Sequence, residues 1–182
     1  MSSNNKSLEE AMVSLQEGNL ESFDMIYEST FQSIFFIIYG VLKDYHLAED
    51  VSQNAYLRIC EKIHLYKRGT NPKAWMATIA RNLALNELRK LKKELIVDLD
   101  TIDYLEYTNN PTDVETPLID LARANLSDIE FQILMLCTVN QYKRREAAKL
   151  LNMPISTVTW HYQRAIKKLR KLIKGGDHFE KG

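Results

Sequence analysis

Helix-breaking residues are scarce in this chain. Its 182 residues hold six glycines and four prolines, and no segment alternates apolar with polar residues as a half-buried strand does. A sheet fold is thereby disfavoured and an all-α one expected. The two cysteines, Cys60 and Cys137, lie far apart inside separate helical segments, which leaves neither a disulfide framework nor a paired-cysteine metal site. The histidines are scattered at His46, His64, His161 and His178. No zinc-protease motif, glycine-rich phosphate loop, nucleophile elbow or carboxylate pair accompanies them, so neither catalysis nor a metal or cofactor is expected. No apolar run approaches the roughly 20 residues of a membrane span, and the polar start MSSNNKSLEE lacks a signal-peptide core. A cytoplasmic location is the expectation.

Net charge is also absent, since 24 bases balance 24 acids, but the charge comes in blocks. Residues 1–65 carry −6, residues 66–93 carry +7, residues 94–141 carry −9 and residues 142–174 carry +9. Two basic islands thus interrupt an acidic chain. Nucleic-acid phosphates attract such islands by charge neutralisation and counterion release, although two solvated basic helix faces would give the same count.

The second island contains REAAKLLNMPISTVTWHYQRAIKKLRKL, residues 145–172, which predicts two helices and a tight turn. Ala147, Ala148, Leu150 and Leu151 give the first helix a packing face. Asn152-Met153-Pro154 ends it, because the residue before a proline is pushed out of the α region. Ser156 or Thr157 can cap the second helix. Helical spacing sets Val158, Tyr162, Ala165, Leu169 and Leu172 on one stripe, with Thr159, Trp160, Gln163, Arg164, Lys167, Lys168, Arg170 and Lys171 around the rest. That layout suits a helix-turn-helix whose second helix enters a DNA major groove, and an ordinary amphipathic helix shares it. Trp160 lies among the cations, where so large an apolar surface has no structural benefit; a DNA contact is favoured over a protein interface. His161 is read as a phosphate or solvent contact, having no second metal ligand at i+3 or i+4.

Upstream, residues 22–42 carry Phe23, Ile26, Tyr27, Phe31, Ile34, Phe35, Ile38 and Val41 at helical spacing, a face for burial. Residues 48–65 repeat Val51, Ala55, Ile59 and Ile63 inward and leave Asp50, Gln53, Asn54 and Arg58 outward; Glu49 and Asp50 also suit a helix N-terminus. A third helix follows Pro72. Trp75, Met76, Ile79, Ala80 and Leu83 make one side of it, while Thr78, Arg81, Asn82, Arg89 and Lys92 form a donor-rich strip suited to phosphates and base edges. Residues 95–125, acidic and holding Pro111 and Pro117, read as a linker with a short helix at most.

Three motifs in order, AEDVSQNAYLRI, WMATIARNLALNELRK and the helix-turn-helix with PISTVTWHYQRAIKKLRK, make the chain resemble bacterial sigma factors of the sigma-70 family, particularly the compact extracytoplasmic-function group. The resemblance covers about residues 20–94 and 126–173. It implies an all-α protein of two helical domains, region 2-like over 1–94 and region 4-like over 126–182, joined by the acidic linker 95–125. Such a protein binds RNA polymerase core, directs it to −10 and −35 promoter elements and assists melting. The resemblance implies that Asp50, Gln53, Asn54 and Arg58 dock on the β′ clamp helices. It places Arg81, Asn82, Arg89 and Lys92 at the −10 element with loop 66–74, which captures a flipped base. In that loop Tyr66, Lys67, Arg68 and Asn71 supply stacking, charge and amide hydrogen bonds beside Gly69, offsetting an unstacking cost of a few kcal/mol. Thr157, Thr159, Trp160, Gln163, Arg164 and Lys168 fall at the −35 element, the C-terminal domain also meets the β flap, and an anti-sigma factor is a further partner open to the chain.

The chain departs from the family at Asn86, commonly Asp, and at Thr159, Trp160 and His161, commonly small or basic, which leaves promoter specificity open. Two other readings remain. One is an operator-binding regulator that dimerises and uses its helix-turn-helix alone; the AEDVSQ helix weighs against it, since a repressor needs no polymerase-docking face. The other is a sigma-like protein that binds polymerase or an anti-sigma partner without initiating.

Overall fold

The computed structural model describes residues 3–98 and 117–176, which fall into two compact units. Among these residues every regular element is helical. The first unit holds α1 (Ser3–Gln16), α2 (Ser22–Leu42), α3 (Tyr45–Lys62), a 3₁₀ turn at Ile63–Leu65, and α4 (Pro72–Asp98). Helix α2 is its centre, packing on α1, α3 and α4. Ile26, Ile34, Phe35, Ile38 and Val41 are buried there as their spacing predicts, with Leu42 beside them, whereas Phe23 and Phe31 are half-buried and Tyr27 is exposed; Ile59 of α3 and Met76, Ala77, Ala80 and Ala84 of α4 are buried in the same unit. The small α4 residues let the helices approach closely; Trp75, Ile79 and Leu83 are half-buried at the margin of that face. Tyr56, buried, shares a 2.8 Å hydroxyl contact with Thr30.

Several expectations are corrected here. At 21 residues, α2 is long and apolar enough on composition to cross a membrane, so one segment does reach span length; more than half of it is buried in the core of this unit. Helix α1 extends the expected three-helix arrangement to four, burying Leu8, Ala11, Met12 and Leu15. Helix α3 begins at Tyr45 rather than 48, because the Asp44 side chain accepts the Leu47 N–H at 2.8 Å and caps it. Glu49 and Asp50 therefore lie beyond the first turn, where complementing the helix dipole is no longer their role.

The second unit comprises α5 (Pro117–Asn125), α6 (Asp128–Leu134), a π-helical turn at Met135–Val139, α7 (Arg144–Leu151) and α8 (Ile155–Gly176). Helix α5, inside the segment read as linker, buries Ala122 and packs on α8, so residues 117–125 belong to this unit; residues 99–116 lie outside the described residues. The α7–α8 turn forms as predicted. Asn152 takes the left-handed conformation (φ 53°), and its N–H returns to Ala148 and Lys149 carbonyls. Helix α8 starts one residue before the expected caps: the Pro154 carbonyl accepts the Val158 N–H at 3.1 Å, which places Ser156 and Thr157 inside the first turn. Val158, Ala165 and Leu169 are buried against α6 and α7, Tyr162 is half-buried, and Leu172 is exposed.

Candidate nucleic-acid and partner interfaces

Helix α3 presents Asp50, Gln53, Asn54 and Arg58 to solvent, opposite buried Val51, Ala55 and Ile59. Between them sits Leu57, 65% exposed, a site residue that apolar periodicity alone does not distinguish from the core. Positions 50, 53, 54, 57, 58 and 61 form one surface stripe at i, i+3, i+4, i+7 spacing. Arg58 is held along it by Glu61, Nη1 to Oε2 at 2.7 Å. An exposed leucine ringed by amides and opposite charges has the make-up of a small protein-docking surface, with an apolar anchor and a polar rim.

The loop between Leu65 and α4 exposes Lys67, Arg68 and Asn71. Tyr66 is corrected: at 3% exposure its ring is unavailable for stacking on a base. Its hydroxyl donates to the Thr70 carbonyl at 3.1 Å and its ring meets Trp75 edge to face, centroids 5.5 Å apart. Burial pushes its phenol up. Tyr66 and Trp75 thus build the floor of the loop. Asn71 accepts the Ala74 N–H at 3.2 Å through Oδ1, capping α4 and leaving its amide nitrogen for a ligand. Gly69, at φ 80°, has nothing within 4 Å of where a Cβ would sit; what requires glycine there is the left-handed backbone.

Along α4 the exposed strip runs through Thr78, Asn82, Asn86, Arg89 and Lys92. Asn86 accepts from Arg89 Nη1 at 2.9 Å, so the residue at the unusual position orients a cation. Arg81 departs from this strip: it is half-buried, its Nε has no partner among the described residues, and burial lowers its basicity.

On α8, Gln163 and Trp160 are exposed, while Thr157 and Thr159 are half-buried in the first turns. Trp160, 53% exposed, has a structural partner the sequence did not reveal: the Arg164 guanidinium lies over its ring, 5.1 Å from the centroid. The same guanidinium is held by Glu130 of α6, Nε to Oε1 at 3.0 Å, while the other carboxylate oxygen takes Lys168 Nζ at 2.7 Å. Glu130 also accepts the Ser127 N–H at 3.0 Å and closes a capping box on α6. Burial opposes ionisation of Glu130, but the Lys168 hydrogen bond, the Ser127 bonds and the ammonium charge outweigh it and hold the carboxyl below its ordinary range. Arg164 and Lys168 are therefore oriented cations rather than loose ones. His161 is half-buried with its ring edge against Trp160.

The cysteines fall in different units, both half-buried, with burial raising each thiol. Among the described residues no three His, Cys, Asp or Glu side chains are grouped to hold a metal.

Two helical units, one with an exposed stripe centred on Leu57 and a basic strip and the other a helix-turn-helix, have the make-up of a DNA-binding protein. Residues 26–94 match sigma-70 region 2 and residues 118–169 match sigma-70 region 4, together well over half of the chain. The chain belongs to the sigma-70 family, and is a sigma factor of the extracytoplasmic-function type that binds RNA polymerase and promoter DNA and directs promoter-specific initiation. The family is regulatory. Among relatives, the ECF RNA polymerase sigma factor SigX of Bacillus subtilis is 26% identical over 167 residues, covering 83% of each chain. SigW of the same organism is 23% identical over 174 residues, 88% of this chain and 93% of that one. In fold, the chain is similar to the sigma factor RpoE of Bartonella quintana, solved in complex with the anti-sigma factor NepR, with TM-score 0.71 and 22% identity over 85% of this chain and 98% of that one.

Proposed function

We propose that the three surfaces divide the work of initiation. The α3 stripe of Asp50, Gln53, Asn54, Leu57 and Arg58 docks on the β′ clamp helices of polymerase core. The loop residues Lys67, Arg68 and Asn71, with Asn82, Arg89 and Lys92 of α4, engage the −10 element, and Arg81 supplies a guanidinium whose Nε has no partner among the described residues. On α8, Thr157, Thr159, Trp160, Gln163, Arg164 and Lys168 engage the −35 element, and the same unit meets the β flap. An anti-sigma protein of the kind seen with the Bartonella quintana factor would compete for these surfaces, in the cytoplasm. The observation that carries this division is the α3 stripe: Asp44 already caps the helix, so Asp50, Gln53, Asn54 and Leu57 have no structural task left to explain them.

Run-off transcription with purified core polymerase across a promoter library tests the proposal, with a set of transcripts sharing −10 and −35 sequences as the expected result. DNA binding without transcripts would favour the operator-binding regulator, and core binding without transcripts the non-initiating protein. On a promoter so recovered, Arg164→Ala is expected to weaken −35 duplex binding by about 1–3 kcal/mol, concentrated at one base position, because the guanidinium is pre-oriented by Glu130 and Trp160. An equal loss on all sequences, read by a mobility-shift titration, would make it a phosphate contact.

A further inference from the structure

Helix α1 lies outside both matched regions, the first of which begins at residue 26, yet its side chains reach the base-capture loop. The Gln16 amide nitrogen donates to three carbonyls that follow α3, those of Ile63 (3.2 Å), His64 (3.4 Å) and Tyr66 (3.1 Å). Its oxygen accepts from Arg68 Nε at 3.2 Å, and Glu17 takes Arg68 Nη2 at 2.8 Å. Glu9 accepts the N–H of Gly69, the residue at positive φ. A 2.7 Å bond between Ser14 and Ser22 ties the end of α1 to α2. The contacts to residues 63–69 span 47 to 60 residues of sequence, so they fix the loop against the body of the unit rather than within itself.

We propose that α1 is a positioning element for −10 recognition, with Gln16 as the residue that sets the loop, a role resting on the reading of that loop as the site of base capture. Carbonyls beyond a helix end need donors: the Gln16 amide reaches those of His64 and Tyr66, and shares that of Ile63 with the Tyr66 N–H, which donates to it at 3.0 Å. With Nε of Arg68 engaged by Gln16 and Nη2 by Glu17, the residue that follows α1, the guanidinium is presented in one orientation, and the loop backbone is ordered before DNA arrives. Pre-ordering removes a conformational cost that a loose loop would meet on binding a single strand.

The test compares wild-type holoenzyme with Gln16→Ala and with Gln16→Glu, which keeps the stem and the acceptor for Arg68 but removes the amide donors. The probe is a single-stranded oligonucleotide carrying the non-template −10 sequence of a promoter recovered by run-off. Both variants are expected to lose about tenfold in oligonucleotide affinity and to exchange the amides of residues 66–71 faster in the free protein. Thermal stability, holoenzyme formation and −35 duplex binding are expected to stay unchanged. Faster exchange with unchanged capture would overturn the positioning role, as would a parallel fall in stability and holoenzyme formation, which would mark Gln16 as merely structural. If Arg68→Ala with Asn71→Ala leaves capture intact, the reading of the loop itself fails and the role of α1 with it.

Discussion

Leu57→Asp is expected to abolish holoenzyme formation while leaving the fold intact, and Asp50→Ala combined with Gln53→Ala to do the same. Leu57 is 65% exposed and sits on the solvent side of α3, so a polar replacement removes little buried surface and should shift thermal unfolding by less than a degree or two, a surface-substitution effect. At an interface the arithmetic differs. An apolar anchor enclosed by a partner typically carries at least about 2 kcal/mol, and a carboxylate desolvated in its place without a counter-ion adds to the loss. The combined effect exceeds about a hundredfold in affinity, enough to remove the complex at micromolar concentration. Co-elution with core polymerase on gel filtration, with circular dichroism as the folding control, gives the answer. A Leu57→Asp protein that still co-elutes would mean that the stripe faces something other than polymerase. Arg58→Ala should have a smaller effect, because its partner Glu61 is in the same stripe and the pair is solvated.

How far the sequence reaches can be judged residue by residue. Helical period and breaker positions set α2 to the residue and stopped α7 at Asn152, because those signals are local. The pattern Leu8, Ala11, Met12, Leu15 that buries α1 is also local, and lies outside the family motifs. Other features depend on contacts far along the chain. Tyr66 looks like a stacking residue in a basic loop, and becomes the loop's floor because Trp75 and Thr70 close over it. Leu57 counts as one more apolar residue until the register of α3 turns it outward. The exposure of Trp160 has its structural reason in Arg164, which lies across its ring and is anchored by a carboxylate 34 positions earlier. Candidate site residues were thus legible as types on helix faces, whereas their pairing was not.

That carboxylate, Glu130, carries the other large expected effect. Its side chain is 2% exposed and makes contacts with Arg164, Lys168 and the Ser127 backbone, so one group joins the start of α6 to the middle of the recognition helix. Glu130→Ala removes the capping-box half, about 1 kcal/mol, and releases two cations. Removing one partner of a fully buried pair costs about 3–5 kcal/mol. Arg164 and Lys168 are themselves half-exposed and can rehydrate, so a total nearer about 2–3 kcal/mol for the C-terminal unit is expected. In a Trp75→Phe background Trp160 is the one remaining tryptophan, and its fluorescence during urea unfolding reports this unit alone. The pH dependence follows from the depressed carboxyl: its contribution is complete above the unfolded value near 4.5 and is lost as pH falls through the lower folded value. Glu130→Gln should flatten that acid-side loss, and an unchanged acid profile would show that the carboxylate is not the group holding α8. On DNA the same variant separates affinity from selectivity. With the anion gone, Arg164 and Lys168 carry uncompensated charge and bind any duplex more tightly, with a steeper salt dependence, while the guanidinium loses its fixed orientation over Trp160. The ratio of −35 to nonspecific affinity should therefore fall even as total DNA binding rises.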